Sequence, residues 1–201
     1  RAANGIIVPN VVDNELRFLD GIGDIQLIAD ADTDGVGNLV MRDVQDSLRT
    51  NGRNLASSGA YITLGEINTS VLGDAVNGGN IFISSISGDI STQVLCSLSF
   101  SYLGDSGNGG AISISSTSGY LSTQDLSSVS VSYLGGSRNR GATSNNGGSV
   151  SLHSGNISGL TVITLSSNGR SGDIDIQSLG SDLTVSDLSI FTTAHIDIPY
   201  P

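Results

Sequence analysis

The sequence predicts an all-β fold, a right-handed parallel β-helix (β-solenoid) of roughly six to eight coils. Three observations lead to this prediction. Residues 80–110 and 111–141 are near-duplicates, identical at 19 of 31 aligned positions. Short runs such as AISISS and SVSLHS alternate aliphatic residues with serine, which is typical of β-strands. Serine is frequent and no stretch has the spacing of an amphipathic helix, which disfavours helical repeats.

Weaker copies of the duplicated unit extend along most of the chain. Each copy begins with a glycine followed by an alternating strand, and the clearest of these anchors are Gly59, Gly79, Gly110, Gly148 and Gly172. The last four are separated by 31, 38 and 24 residues (110 − 79, 148 − 110, 172 − 148). A unit of this length forms one coil that cannot bury its apolar face alone, so successive coils must stack.

Alternation also predicts which side chains of a coil face the core. Aliphatic side chains are expected inside, and serines outside on a flat face that carries hydroxyls. The predicted inward side chains are Ile112, Ile114, Leu121, Leu126, Val129 and Val131. The predicted outward serines are Ser113, Ser115 and the arrays Ser97-Ser99-Ser101 and Ser128-Ser130-Ser132. Tyr102 and Tyr133 occupy equivalent positions and are expected to stack.

The repeat divides the chain into three segments. Residues 1–55 are predicted to form irregular N-terminal coils or a cap, residues 56–190 the repeat solenoid, and residues 191–201 a C-terminal tail or cap. Within the first segment, residues 39–48 are expected to form a strand and turn or a short capping helix. Solenoid ends expose unpaired strand edges, so the terminal segments either cap the stack or join copies end to end into a filament.

Composition argues against several classes of partner. The net charge is −11, and the eight basic residues are all arginines without a dense cluster, so no nucleic-acid partner is expected. No apolar run approaches the length of about 18 residues that is needed to cross a bilayer, so no transmembrane segment is predicted. The single cysteine, Cys96, excludes an intramolecular disulfide and is interpreted as a small tolerated residue, with a free thiol that couples subunits as the alternative.

One acidic run matches the start of a calcium-binding loop. Alternate carboxylates followed by glycine, D-x-D-x-D-G, turn successive side chains towards one cation, and the glycine allows the sharp bend. Met41 replaces the glutamate expected at the twelfth position, and Asp43 is its candidate substitute. The alternatives are a structural Ca²⁺ and an acidic solvated turn. The candidate metal ligands are Asp30, Asp32, Asp34, Val36, Asn38 and Asp43.

No arrangement of side chains predicts catalysis, and no other cofactor is expected. Carboxylates are scattered among the coils, and Asp89 is replaced by Tyr120 in the next copy. Asp173 and Asp175 are interpreted as solvated charges, and His153 and His195 lack metal-ligand spacing. The serine arrays are the type of surface that hydrogen-bonds glycans or ice, although serine also simply keeps a strand soluble. The remaining acidic candidates on the coils are Asp125, Asp182 and Asp187.

The segments GNGGAISISSTSGYLSTQDLSS and VNGGNIFISSISGDIST resemble the Gly/Ser-rich repeats of filamentous-haemagglutinin-type bacterial surface proteins, in particular large cyanobacterial members. The resemblance covers residues 59–188. It implies export to the cell surface or medium and a structural or adhesive role, as a fibre subunit or as a segment of a large adhesin. The expected partners are further copies of the chain, or surface glycans and cells. The alternatives are a polysaccharide-acting β-helix enzyme (a lyase or hydrolase) and a non-catalytic glycan-binding module.

Overall fold

A computed structural model describes residues 5–8, 15–18, 23–32, 34–73, 76–86, 88–101, 105–132, 148–158, 161–166, 172–178 and 183–184. Throughout these ranges the regular structure is β-strand, without helix. The strands are β1 (Ile6–Val8), β2 (Glu15–Arg17), β3 (Ile25–Ile28), β4 (Leu39–Met41), β5 (Ser47–Arg49), β6 (Leu55–Gly59), β7 (Ile62–Thr63), β8 (Glu66–Asn68), β9 (Val71–Leu72), β10 (Ile81–Ser85), β11 (Ile90–Ser91), β12 (Val94–Ser101), β13 (Ile112–Ser116), β14 (Tyr120–Ser122), β15 (Asp125–Ser132), β16 (Val150–Ser154), β17 (Asn156–Ser158), β18 (Thr161–Ser166), β19 (Ile174–Ser178) and β20 (Leu183–Thr184).

These strands form three sheets in which every pairing is parallel. Sheet 1 has the order β1-β4-β7-β11-β14-β17-β20, and sheet 3 has the order β3-β6-β10-β13-β16-β19. Sheet 2 has the order β2-β5-β8-β12-β15-β18, with β9 also paired to β12. The chain therefore visits sheets 1, 2 and 3 in turn and then begins the next coil. The predicted all-β, parallel β-helical fold is confirmed, whereas its handedness and total number of coils stay predictions.

Strand register follows the sequence repeat in the last four copies, whereas the predicted anchor Gly59 is wrong, because it lies at the end of the sheet 3 strand β6 and the other anchors precede their sheet 3 strands. In sheet 3, Ile81 pairs with Ile112, Ile112 with Val150, and Val150 with Ile174. These partners are 31, 38 and 24 residues apart (112 − 81, 150 − 112, 174 − 150), the same steps as the glycine anchors. Variation in coil length is therefore absorbed between the strands, and the ladder keeps its register.

The core is a set of aliphatic columns, one or two from each sheet. Their members in the middle coils are at most 1 % exposed. Burying each such side chain contributes about 1.5–3 kcal/mol relative to full exposure, which makes this stacking the main stabilising term. The inward orientation predicted for Ile112, Ile114, Leu121 and Leu126 is confirmed. The fully buried columns comprise Leu39, Ile62, Ile90, Leu121 and Ile157 in sheet 1, Leu48, Ile67, Leu95, Leu126 and Val162 in sheet 2, and Ile81, Ile112, Val150, Ile83, Ile114 and Leu152 in sheet 3.

Residues 39–48 form a strand and turn, the first of the two predicted alternatives. After β4, the Asp43 carboxylate accepts the backbone N–H of Gln45 at 2.9 Å, and the Asp43 carbonyl accepts the N–H of Asp46 at 3.1 Å. An aspartate that bonds to the backbone two residues ahead stabilises a turn and competes with helix formation. The chain consequently turns and enters β5.

The predicted outward serine arrays are wrong. Ser97, Ser99, Ser128 and Ser130 are completely buried, Ser101 is buried as well, and Val129 lies half-buried on the outer side of its strand. Leu95 and Leu126 point inward, and the period of two in a strand then brings the serines after them to the same inner face. Ser113 and Ser115 do lie on the outer side, as predicted. The side chains of Val131 and Ser132, together with Tyr102 and Tyr133, lie outside the described residues.

Small residues are needed there because a glycine-rich segment lies directly against the inner face of sheet 2. Ser97 Oγ donates to the carbonyl of Gly79 at 2.8 Å, and Ser99 Oγ donates to the carbonyl of Val76 at 2.6 Å. One coil later, Ser128 Oγ donates to the carbonyl of Gly110 at 2.7 Å. Two backbones at this separation leave room for a hydroxymethyl group but not for a branched aliphatic side chain.

Ser57 is the exception within an otherwise aliphatic column. It pairs with Leu27 on one side and Ile83 on the other, and its Oγ is buried without a hydrogen-bond partner among the described residues. An unsatisfied buried hydroxyl costs free energy, so we expect Ser57→Ala to raise the free energy of unfolding by about 1 kcal/mol. Denaturant unfolding measures this. Ser97→Ala, which removes a bonded hydroxyl, is the control that should lower stability, and a loss in Ser57→Ala would contradict the assignment.

The described part of the chain contains no helix long and apolar enough to cross a membrane.

Candidate functional site

The acidic run lies in the connection between β3 and β4, and hydrogen bonds to Asp30 fold it. Asp30 is buried, and its two carboxylate oxygens accept the backbone N–H groups of Asp34 at 3.1 Å and Gly35 at 3.0 Å. Asp34 Oδ1 in turn accepts the N–H of Val36 at 2.8 Å. Gly35 has a φ of 81°, in the left-handed region where glycine is favoured, as the motif predicted.

This loop brings together three of the six predicted metal ligands. Carboxylate oxygens of Asp30, Asp32 and Asp34 lie within 4.8 Å of one another. Asp43 lies outside this group and holds the following turn. The other two predicted ligands, Val36 and Asn38, are exposed, and the Asn38 carbonyl accepts the N–H of Ile6 at 2.8 Å.

The three clustered carboxylates have the chemistry to hold a hard cation such as Ca²⁺, which prefers oxygen ligands. Asp32 and Asp34 are exposed, whereas Asp30 already accepts two backbone N–H groups. A carboxylate has about four lone-pair sites, so Asp30 keeps acceptor capacity for a cation beside these two bonds. Its hydrogen bonds also fit the alternative reading, in which the aspartates simply stabilise an acidic turn.

The catalytic candidates that the structure describes do not form a compact group. Asp173 and Asp175 are both exposed, and Asp175 accepts hydrogen bonds at 3.2 Å from the side-chain amide of Gln177. His153 Nε2 lies 3.9 Å from Asp175 Oδ2 across neighbouring strands β16 and β19, and both side chains are substantially exposed. Asp125 is exposed at the start of β15. Asp182, Asp187 and His195 lie outside the described residues.

An ion-pair group on the outer side of sheet 2 was missed by the sequence reasoning. Arg17 and Arg49, neighbours in β2 and β5, both pair with the Glu15 carboxylate. The hydrogen bond from Arg17 is the main cause that lowers the pKa of Glu15. The positive charge of Arg49 also lowers this pKa, whereas partial desolvation of the carboxylate raises it. Glu15 and Arg17 are two residues apart on one strand face, a spacing that could have suggested the pair.

A second missed feature is the hydrogen bonding that ties each coil to the next. Ser85 Oγ donates to the carbonyl of Ala60 at 2.6 Å and accepts the N–H of Gly88 at 3.0 Å. Ser116 repeats this arrangement with the carbonyl of Gly88 and the N–H of Gly119, both at 2.9 Å. The signal in the sequence is the serine that ends the first strand of each duplicate, with a glycine three residues later.

Asparagine side chains serve the same purpose at the corner before sheet 3. Asn54 Oδ1 accepts the backbone N–H of Asn80 at 2.8 Å, and Asn80 Oδ1 accepts that of Ala111 at 2.8 Å. Asn77 Oδ1 likewise accepts the N–H of Asn108 at 2.8 Å. These bonds satisfy backbone donors at positions where the chain leaves the ladder.

A line of exposed side chains runs along the stack at the beginning of the strands of sheet 1. We call Tyr61, Asp89 and Tyr120 the tyrosine column. Ile90 pairs with both Ile62 and Leu121, so these three residues, each one position earlier, occupy successive coils. Tyr61 is 52 % and Tyr120 60 % exposed, and Asp89 is exposed between them. Asp89 Oδ1 accepts the backbone N–H of Tyr120 at 2.8 Å.

Comparisons with protein-family models, with curated proteins and with solved structures found no match for this chain.

Proposed function

We propose that the chain is a non-catalytic structural and adhesive β-solenoid that acts outside the cell. The observation that carries the proposal is the use of its polar side chains. Ser85, Ser97, Ser116, Ser128 and Asn80 all bond to the backbone of a neighbouring coil or segment, and so they build the stack itself. A chain that commits its recurring polar residues to axial cohesion is suited to a scaffold.

The terminal coils support the assembly part of the proposal. In the middle coils the core side chains are almost completely buried, whereas several apolar side chains of the first and last described coils are only partly buried. Further coils would cover them, contributed either by another copy stacked end to end or by the remainder of a large surface adhesin. The partly buried side chains are Ile6, Leu16, Phe18 and Leu27 at one end, and Ile174 and Ile176 at the other.

Electron microscopy and a turnover assay test the proposal together. We expect elongated particles or filaments, and no release of reducing ends or unsaturated sugars from a panel of neutral and acidic polysaccharides. Asp175→Asn is a matched variant for the turnover assay, because an enzyme that uses this carboxylate would lose its activity with the substitution. Isolated compact particles that degrade one polysaccharide would overturn the proposal in favour of the lyase or hydrolase alternative.

Non-catalytic glycan binding is the second candidate function, and one observation favours it. Exposed aromatic rings are costly to leave in water and are common where a protein meets a sugar ring or another partner. The tyrosine column places two of them on one line, with a carboxylate between. An adhesive solenoid and a glycan-binding module are compatible, since adhesion requires a recognised surface.

A structural Ca²⁺ bound to Asp30, Asp32 and Asp34 is a secondary part of the proposal. Calcium that binds only the folded chain stabilises it by mass action, by about 2.7 kcal/mol at a hundred times its Kd. We therefore expect calcium to raise the melting temperature and a chelator to lower it. Asp32→Asn should abolish this response while it leaves the hydrogen bonds of Asp30 in place. An unchanged melting temperature with calcium or chelator would favour the acidic turn.

A further inference from the structure

We propose that the tyrosine column binds an extended, neutral β-1,4-linked polysaccharide whose chain lies parallel to the axis of the stack. The inference deepens the adhesive part of the proposed function by naming the partner's chemistry, and it rests on that function. Three properties of the column support it: the spacing of the backbones that carry its rings, the exposure of both rings and the support of one, and the charge between them.

Spacing selects an extended glycan. Tyr61 and Tyr120 are two coils apart, and parallel strands are separated by about 4.8 Å, so their backbones lie about 9.6 Å apart along the axis. In an extended β-1,4-linked chain successive sugars are turned over, so the same face recurs once per disaccharide. That repeat is close to two coils. Backbones at this spacing can carry two tyrosine side chains to alternate sugars of one chain.

Both tyrosine rings are accessible to solvent, and the Tyr61 ring lies against the backbone of the next coil. Tyr61 is 52 % and Tyr120 60 % exposed. A Cβ atom on Gly88 would lie 2.5 Å from Cδ1 and 2.7 Å from Cε1 of Tyr61, so this ring rests against the backbone of the next coil. A ring held against a rigid surface loses little conformational freedom when a ligand stacks on it. Glycine at position 88 is what allows the ring to lie there.

The side chain between the rings supplies hydrogen bonding and selects against acidic sugars. Asp89 is exposed, and one of its oxygens accepts the N–H of Tyr120. A carboxylate has about four lone-pair sites, so Asp89 can also accept from sugar hydroxyls. Its charge, in a chain of net charge −11, repels uronates and sulfated sugars. A neutral chain of hydroxyl-bearing rings is the ligand that fits.

The third exposed aromatic residue in the described ranges lacks this arrangement. Phe82 on the outer side of sheet 3 is 45 % exposed, but its partners in the adjacent coils are Ala56 and Ser113. No second ring follows it at the two-coil spacing among the described strands of that sheet. Phe82 is therefore a matched control, an aromatic residue of similar exposure that stands outside the column.

The test measures binding of the folded chain to defined sugars by isothermal titration calorimetry and by pull-down on insoluble cellulose and chitin. The soluble probes are cellohexaose, chitohexaose and mannohexaose, with maltohexaose as the α-linked comparison and a hexagalacturonate as the acidic one. The variants are Tyr61→Ala, Tyr120→Ala, their combination, the ring-preserving Tyr61→Phe and Tyr120→Phe, and the control Phe82→Ala. Thermal melting of each variant verifies that it is folded.

We expect at least one β-1,4-linked hexasaccharide to bind and the two comparison sugars to bind at least tenfold more weakly. Each alanine variant should weaken binding about tenfold or more, as removal of a central aromatic contact does. The phenylalanine variants and Phe82→Ala should stay near the wild type. Binding that is absent, that is indifferent to both tyrosines, or that falls equally in Phe82→Ala would overturn the inference. Elongated particles without glycan binding would overturn this inference alone and leave the structural role intact.

Discussion

Gly110→Ala is expected to destabilise the fold by about 3 kcal/mol or more, the largest effect of any single added methyl group that we anticipate. Gly110 stacks directly on Gly79 of the preceding coil, and a Cβ atom at Gly110 would overlap the carbonyl group of Gly79. It would also lie 2.6 Å from Ser97 Oγ. The Gly79 backbone and the buried Ser97 hydroxyl cannot move away from the added methyl group without disrupting the strand pairing between these coils. Equilibrium denaturant unfolding measures the loss.

The control for this prediction lies on the same coil. Ser113 faces outward from β13 and is half-buried, so Ser113→Ala should change the free energy of unfolding by less than about 0.5 kcal/mol. If Gly110→Ala and Ser113→Ala had equally small effects, the close stacking of the glycine anchors would be wrong. The same result would remove the explanation for why β10, β13, β16 and β19 each follow a glycine two positions before the strand begins.

Ser128→Val is the second large prediction, and Ser127→Val is its neighbour on the opposite face. Ser128 Oγ donates to the carbonyl of Gly110 at 2.7 Å and accepts the N–H of Gly148 at 2.9 Å. Valine removes both bonds, leaves two backbone groups without their side-chain partner, and adds volume where a Cβ on Gly109 would already lie 2.7 Å from that oxygen. We expect a loss of about 3 kcal/mol or more.

Ser127 is half-buried on the outer side of the same strand, where valine is a favourable residue. Ser127→Val should therefore be neutral or slightly stabilising. Thermal and denaturant unfolding of the two variants compare the faces directly. The opposite order, with Ser127→Val the more damaging, would mean that the inner and outer faces of sheet 2 have been exchanged.

The sequence predicted the architecture because equivalent residues of successive repeats are also partners in the strand pairing. Near-identical segments 31 residues apart pair residue for residue in β10 and β13 and in β12 and β15. The alternation in IFISS and AISISS correctly assigned the inner residues of sheet 3, where a full aliphatic column fits. The isoleucines of both strands point inward and Ser84 and Ser115 point outward, as the alternation requires, whereas the last serines, Ser85 and Ser116, turn inward and bond to the backbone.

The same alternation rule failed in sheet 2 because it assigned to one face two residues that are an odd number of positions apart. Leu126 and Val129 are three positions apart, so an unbroken strand cannot turn both inward. Hydrophobicity favoured Val129, whereas the structure keeps Leu126 and continues with Ser128 and Ser130. The deciding factor is the glycine-rich segment opposite, a long-range approach of two backbones that composition alone does not reveal. Alternate positions counted from Leu126 are Ser128 and Ser130 and not Val129, and this count would have revealed the conflict.

The candidate sites were predicted unevenly for a related reason. The acidic loop is local, so spacing alone predicted the convergence of Asp30, Asp32 and Asp34. The tyrosine column depends on register between coils of different length. The replacement of Asp89 by Tyr120 was visible in the 31-residue repeat, but Tyr61 precedes Asp89 by 28 residues (89 − 61) and joins the line only through strand pairing.

The direction of the inter-coil hydrogen bonds has a mechanical consequence. The backbone hydrogen bonds of all three sheets run along the axis of the stack. Tension applied to the two ends of the stack therefore acts on the hydrogen bonds of one coil at a time and does not shear those of many coils together. The coils should then unfold one after another, beginning at an end of the stack, at low force. Each 31-residue coil that detaches, such as the one between Ile81 and Ile112, would add roughly 100 Å of extended chain. A rod built in this way would lengthen step by step under load while its remaining coils stay folded.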